Sequence, residues 1–440
     1  MGNPGKREYA NSVKLDVAKC KGCTTCIKHC PTEAIRVRRG KATILKERCI
    51  DCGECIRVCP HKAKVAVCDP FSRLEEFSYN IALPAPSLYG QFHHLDDVNI
   101  VLQALLDIGF DQIFEVARSA ETISEYMRGK MQDRQLPRPV ISSACPACVR
   151  MICQRFPKLI ANVAPVIAPV DLAALRARED AMRETGLPAE KIGVFFITPC
   201  PAKMTAVHNP MGLPHPVIDG ALSMTDVYLR LLPAMKKVID PPQLLTAGLI
   251  GIGWAASGGE SASLLGETYI AVDGVENVVS VLEDVENGKL TEVEFIEVGA
   301  CTQGCLGGCL TVENAFSSKA RLKRLMKYLP LSHRPTRQLD PEDAPTPRGL
   351  NPALLRWKTL PEYTPVWQLD ADYKSALEKH GQIMQLSHRL PGLDCASCGA
   401  PSCRAFAEDV VLGYAQESDC IFLHREKMGA GDYLPPPFRT

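Results

Sequence analysis

Residues 298–314 read VGACTQGCLGGCLTVEN and set Cys301, Cys305 and Cys309 four residues apart in a glycine-rich stretch. Thiols one helical turn apart are consistent with metal ligands, with part of a disulfide framework, or with small core residues that line up. The other cysteines bear on the choice. The chain of 440 residues carries 20 of them, nine before residue 70, seven from 145 to 309 and four after 394. The amino terminus, MGNPGKREYANSVKLDV, lacks the apolar core of a secretory signal, so a cytoplasmic location is expected. A reducing compartment disfavours a disulfide scaffold, which leaves metal ligation as the leading explanation.

Composition supports a globular chain of two to four domains: 46% of residues are hydrophobic and 23% charged. Lys+Arg and Asp+Glu balance at 50 each, so the whole chain gives no argument for nucleic acid or a membrane surface. The balance is uneven, with 15 Lys or Arg against 6 Asp or Glu in residues 1–67. That basic end suits an acidic redox partner, with the lysines at 19, 21, 28, 62 and 64 as the docking charges, although surface lysines on a small domain are the plainer account. The longest apolar segment, LLTAGLIGIGWAA at 244–256, is too short and too rich in glycine to span a bilayer.

Residues 20–31, CKGCTTCIKHCP, and 49–60, CIDCGECIRVCP, are two copies of C-x2-C-x2-C-x3-C-P. This spacing wraps three thiolates around one 4Fe-4S cube and sends the fourth to its neighbour. By that crossing rule Cys20, Cys23, Cys26 and Cys59 hold one cluster, and Cys49, Cys52, Cys55 and Cys30 the other. A zinc site seldom packs tandem cysteines so closely. The intervening AIRVRRGKATILKERC predicts a short hairpin turning at Arg39-Gly40, and Cys68 reads as a small core residue.

A third cysteine group, Cys395, Cys398, Cys403 and Cys420, is spaced C-x2-C-x4-C-x16-C, and CRAFAEDVVLGYA reads as a helix that returns the chain for the fourth ligand. It resembles the small single-cluster iron-sulfur domain of anaerobic electron-transfer proteins; a structural zinc knot is the alternative. Residues 331–370 are rich in proline and read as a linker or wrapping arm, followed by a short helix over 371–386.

Between residues 78 and 330 short apolar runs alternate with helical stretches. KIGVFFITPC and RPVISSACPAC read as buried strands ending on cysteines, DVNIVLQALLDIGFDQIFEVA as helix, glycine stop and strand, and SMTDVYLRLLPAMKKV as a helix. That alternation argues for parallel strands whose carboxyl ends gather ligands. Three of the loops, SSACPAC (142–148), TPCPAK (198–203) and EVGACTQGCLGG (297–308), resemble the signature segments of iron-only (di-iron) hydrogenases. LPAPSLYGQF (83–92), LLDIGFDQIFEVARSAETISEYM and the glycine turn WAASGGES (254–261) extend the likeness to about 250 residues.

The resemblance implies an α/β hydrogenase-like central domain with parallel sheets (76–330), flanked by an amino-terminal α+β two-cluster ferredoxin domain (1–75). A proline-rich arm (331–385) and a small carboxy-terminal helical 4Fe-4S domain (386–440) follow. It further implies a cubane held by Cys145, Cys200, Cys301 and Cys305, with Cys305 bridging to a di-iron subsite that bears carbonyl and cyanide. Lys203 would donate to a cyanide, and Ser257 and Gly258 would line the cofactor. The cofactors implied are four 4Fe-4S clusters and the di-iron subsite.

The chain departs from catalytic members of the family. Ala144 stands where a proton-passing cysteine is usual, Pro146-Ala147-Cys148 replaces Pro-x-Trp, and Thr198 and Ala206 replace a methionine and a relay glutamate. General acid chemistry needs a donor within reach, so fast proton delivery is not expected. The pattern is similar to the sensory, non-prototypical branch. Cys148 and Cys309 are candidates to face the subsite cavity, against the plainer reading as unreactive lining; Cys153 reads as core. His93, His94 and His208 read as solvated loop residues.

Two functions compete. One is a hydrogen sensor or slow hydrogenase, of low or no turnover, that relays electrons through its clusters. The other is a non-catalytic electron-transfer subunit of a larger complex that keeps the cubanes and lacks the di-iron subsite. A cluster-assembly protein is a distant third, because the terminal cysteine arrangements differ. The expected partners are hydrogen, a ferredoxin or another electron-transfer subunit, and a signalling protein.

Overall fold

Seven-residue Ile192–Thr198 is buried along its whole length, as a strand covered on both faces must be. In the computed structural model, which describes residues 11–134, 136–332, 351–366 and 369–428, it is a central strand of a four-stranded parallel sheet. The order is Gln112–Ile113, Tyr79–Pro84, Ile192–Thr198, Gly220–Ser223, with Phe195 facing Ala82 on one side and Gly220 on the other. A second parallel sheet has the order Tyr269–Asp273, Phe295–Gly299, Val140–Ile141, with Phe295 opposite Val140. The expected strands are present, although the one in RPVISSACPAC is only two residues long.

The chain divides into two compact units. Of the described residues, the first comprises 11–12, 50–53, 66–134, 136–332 and 351–363; the second comprises 13–49, 54–65, 364–366 and 369–428.

In the first unit, helices cover the sheets through apolar faces. Val98–Asp107 buries Val101, Leu102 and Leu105 and is capped by Asp97, which accepts from the Asn99 amide. Val116–Gln132 and Pro169–Thr185 pack on the same core, the latter ending at Gly186 in the left-handed conformation. The expected helix at Met224–Met235 also forms, with Pro233 near its end. Among the described residues no helix is long and apolar enough to cross a membrane.

The second unit contains the antiparallel hairpin Ile35–Arg38/Lys41–Ile44. Arg39 and Gly40 both have positive φ (50° and 69°), the mirror-image turn that matches strand twist, as the sequence predicts. The same unit contains the helices Tyr373–Arg389 and Cys403–Val411, which pack around Phe406. Most of the expected arm at 331–370 lies outside the described residues.

Candidate functional site

Each strand that the sequence ends on a cysteine delivers it to one place. Cys145 follows Val140–Ile141, Cys200 follows Ile192–Thr198, and Cys301 follows Phe295–Gly299, all at carboxyl ends of parallel strands. Cys145 and Cys200 are also the caps of helices Pro146–Arg155 and Pro201–His208, each with proline in its first turn. The amino-terminal dipole of a helix favours a thiolate there. Between Cys301 and Cys305 the backbone turns through Gln303 and Gly304, at φ 64° and 70°. A Cβ on Gly304 would lie 2.6 Å from the Ser257 amide nitrogen, so only glycine fits the turn.

These four thiols line one cavity of about 110 Å³ together with Lys203, Glu260, Glu297, Ala144 and Trp254. Lys203 Nζ donates to Cys305 Sγ at 3.3 Å. Burial works against its charge, but the Cys305 and Cys200 thiols outweigh it and raise its pKa, so it is a fixed ammonium. The Cys145 thiol is brought down to about 6, first by a hydrogen bond from Cys148, against burial and with help from the Ala300 amide. Burial pushes Cys200 well up, Lys203 notwithstanding. A buried thiol of that kind ionises when a metal cation takes it. The donor chemistry therefore fits a thiolate-bound iron centre: four sulfurs from three loops, an anion already favoured at Cys145 and a cation at Cys305.

Two residues of the wall escaped the sequence reading. Glu260 is 7% exposed and accepts from Ser142 Oγ at 2.5 Å; burial and then the charge of Glu297 push its carboxyl up. Glu297 accepts from the Gly258 and Ser261 amides at 2.9 and 2.8 Å and is likewise raised by burial. Two interacting carboxyls, one buried and one half-buried, with both pKa values raised, favour keeping a proton between them. Glu260 lies in WAASGGES and Glu297 in EVGACTQGCLGG, but an acid in a glycine-rich segment looks in sequence like a solvated one. Behind the wall a second cavity of about 40 Å³ is lined by Ser143, Ala144, Lys203, Ala206 and Asp171. Asp171 is 8% exposed and is raised to about 7 by burial, against a hydrogen bond from the Ala168 amide.

Other expected residues sit elsewhere. Ser257 and Gly258 stand behind the wall, where the Ser257 amide donates to the Gln303 carbonyl and that of Gly258 to Glu297. Gly258 at φ 88° turns the chain so that Trp254, Ala255, Ala256 and Glu260 face the cavity instead. Cys148 is fully buried behind Cys145, and Cys309 turns away: its Sγ lies 2.5 Å from where a Cβ on Gly53 would be. Gly53 belongs to the first unit because Asp51, 1% exposed, accepts from Thr205 Oγ1 at 2.9 Å and Asn11 Nδ2 at 3.2 Å. Cys153 is buried in the core beside the second sheet, and Cys68 packs half-buried against the separate core of the first sheet. His93 pairs with Glu313 and His208 with Asp69, outside the cavity wall.

In the second unit, Cys20, Cys23, Cys26 and Cys59 line a cavity of about 20 Å³. Cys395, Cys398, Cys403 and Cys420 line another of the same size. The repeat shows in its hydrogen bonds: the Ala34 amide donates to Cys30 Sγ at 3.2 Å and the Ala63 amide to Cys59 Sγ at 3.3 Å. Burial pushes Cys55 up, and the Cys30 and Cys49 thiols add to this, placing these three together. Lys64 is not a docking lysine. It is 3% exposed, its Nζ has no hydrogen-bond partner, and it lines the Cys20 cavity, because it starts the strand Lys64–Ala66 with its side chain inward. An orphaned ammonium among four thiols fits an anionic group bound between them.

Comparison with known proteins agrees with this chemistry. Residues 78–233 and 258–309 match the family described as iron only hydrogenase large subunit, C-terminal domain. Residues 12–60 match a 4Fe-4S dicluster domain, and 390–422 a putative Fe-S cluster family. Fold and matches together define an iron-sulfur protein in which a ferredoxin-type domain precedes a hydrogenase-like one. Over residues 78–233 and 258–309, just under half of its length, the chain matches the iron-only hydrogenase family. Iron hydrogenase 1 of Clostridium pasteurianum is 24% identical over 375 residues, covering 68% of this chain and 65% of its own length. The periplasmic Fe hydrogenase large subunit of Nitratidesulfovibrio vulgaris is 26% identical over 210 residues, 43% of this chain and 50% of its own length. The chain thus spans between half and two thirds of these curated relatives. Two solved structures of variants of the FeFe-hydrogenase HydA1 from Chlamydomonas reinhardtii, one of them apo, share the fold. Each has TM-score 0.51 and 14% identity, covering 67% of this chain and 98% of the other.

Proposed function

We propose that the protein is a hydrogen-responsive iron-sulfur redox protein, a sensor or slow hydrogenase, in which Cys145, Cys200, Cys301 and Cys305 would hold a cubane and Cys305 would also hold a di-iron subsite. The supporting observation is the contact of half-buried Lys203 with Cys305 Sγ in a cavity larger than either cluster cavity of the second unit. When bound, such a centre supplies Lewis-acid polarisation of hydrogen for heterolytic cleavage. Three further 4Fe-4S clusters are assigned to the thiol sets of Cys20, Cys30 and Cys395 read from the sequence.

The chain's own residues then divide the work. Lys203 holds positive charge at Cys305 and fixes that side of the cavity, and the apolar wall of Ala85, Pro86, Val116 and Phe196 excludes water. Glu260 and Glu297 hold a proton on the wall of the same cavity, and Asp171 holds another in the second cavity, which Ala144 and Ala206 also line. Alanine at both positions leaves no titratable group there to carry a proton from Asp171 towards the larger cavity, which accords with slow proton movement and a sensing role. The exposed lysines 19, 21, 28 and 62 present a positive face to a redox partner.

The test is infrared spectroscopy of protein matured anaerobically. Carbonyl and cyanide bands that shift under hydrogen and vanish in Cys305→Ala support the reading. A blank window from protein with full cubane iron refutes the subsite and leaves an electron conduit.

A further inference from the structure

We propose that the segment carrying Cys395, Cys398, Cys403 and Cys420 is clamped to the hairpin Ile35–Arg38/Lys41–Ile44 so that its centre exchanges electrons directly with the one held by Cys20, Cys23, Cys26 and Cys59. This rests on the reading that both thiol sets hold 4Fe-4S clusters, and every residue involved lies in the second unit.

The contact begins with backbone. The Val37 amide donates to the Gly399 carbonyl at 2.8 Å, and Arg38 Nη1 donates to the Cys398 carbonyl at 2.6 Å. Gly399 has φ 79°, and a Cβ there would lie 1.8 Å from the Val37 carbonyl oxygen, so the approach requires glycine. Val37 lines the Cys20 cavity, and Cys398, the neighbour of Gly399, lines the terminal one. One residue, one hydrogen bond and one peptide therefore join the two walls. Ala396, between Cys395 and Cys398, is 2% exposed and packs in the same apolar cluster as Cys20, Cys26 and Val37.

Charge then locks the register. Asp409 accepts from Arg36 Nε at 2.7 Å and from Arg38 Nη2 at 2.6 Å, Arg48 pairs with Glu408, and Ser402 Oγ donates to Glu33 at 2.9 Å. The side chains of Arg36, Asp409, Arg48 and Glu408 are all less than a tenth exposed. Ionic groups buried in this way stay folded only when matched, so the surface accepts one partner in one orientation. Electron tunnelling falls steeply with distance and favours bonded paths, which is what a backbone hydrogen bond between two cavity walls supplies. One electron moves: one cluster is oxidised by one, the other reduced by one, and no bond forms or breaks. The carboxy-terminal centre is thereby an electron port onto the ferredoxin-type pair.

The experiment is electron paramagnetic resonance of the fully reduced, full-length protein with iron analysis. Cys403→Ala, lacking the terminal centre, is expected to show longer spin-relaxation times in the remaining signals than the parent protein. Gly399→Ala and Asp409→Asn, at full iron content, are expected to lose the same fast relaxation. Full iron in the parent with relaxation unchanged by Cys403→Ala overturns the proposal while leaving the cluster assignment intact. Parent protein lacking one cluster's worth of iron that Cys403→Ala does not lower further overturns the assignment and the proposal with it. Should Gly399→Ala shed iron, the Asp409→Asn result decides.

Discussion

Replacing Asp171 by Asn should stabilise the protein, and more so as pH rises. Asp171 sits in the first turn of Pro169–Thr185, 8% exposed, and burial raises its carboxyl to about 7 from a reference of 3.8. Because the folded state disfavours the ionised form, stability is full below the unfolded pKa, falls as pH climbs from about 4 to about 7, and is level above that. Roughly three pKa units at 1.36 kcal/mol each set an upper bound of about 4 kcal/mol on the loss. Between pH 5 and pH 8 the difference comes to roughly 2–3 kcal/mol. Asparagine keeps an acceptor for the Ala168 amide and removes the ionisation, so the variant should gain on the parent by that amount across the interval. The assay is anaerobic denaturant unfolding of both proteins at pH 5 and pH 8. An advantage of equal size at both pH values would refute the claim that Asp171 is held neutral by burial.

Four further outcomes follow from the geometry. Lys64→Met should move the midpoint potential of the Cys20–Cys59 centre to more negative values, by about 60 mV for each 1.4 kcal/mol of lost attraction, in a redox titration followed spectroscopically; an unmoved midpoint would place the ammonium outside that centre's field. Lys203→Met should raise the Cys145 thiol above about 6 in cluster-free protein, read as lost thiolate absorbance near neutral pH, since the ammonium is one of the groups lowering it. Glu260→Gln and Glu297→Gln should each remove a neutral-carboxyl infrared band present in the parent at pH 7, and its persistence in both would show that the pair shares no proton. Gly212→Ala should cost on the order of 2–3 kcal/mol in denaturant unfolding, because Gly212 has φ 82° and its Cβ would lie 1.9 Å from Trp357 Cδ1.

The cysteine pattern was legible because cluster ligation fixes spacing along the chain. Three of the four expected sets each line one cavity, and the Arg39-Gly40 turn sits where its alternating flanks put it. Lys203 was legible only through the resemblance of TPCPAK to a hydrogenase segment; the fold sets it and Cys200 at the start of one short helix. What escaped was burial of charge. Glu260, Glu297, Asp171 and Lys64 look in sequence like any surface acids and base, and only packing from distant segments removes water from them. The direction of Cys148 and Cys309 was equally hidden, because a helix start and a tight turn set where each sulfur points. Ser257 and Gly258 were in the right turn but behind its face.

The bonds between the hairpin and the carboxy-terminal segment join residues 360 to 373 positions apart in the chain. Loops of that length close late, after local structure has formed. During synthesis the ferredoxin-type repeat leaves the ribosome hundreds of residues before Asp409 and Gly399, so Arg36, Arg38 and Arg48 wait without their buried acids. The hairpin is therefore made long before the surface that covers it, and its charged side chains find their buried partners only after both segments have left the ribosome.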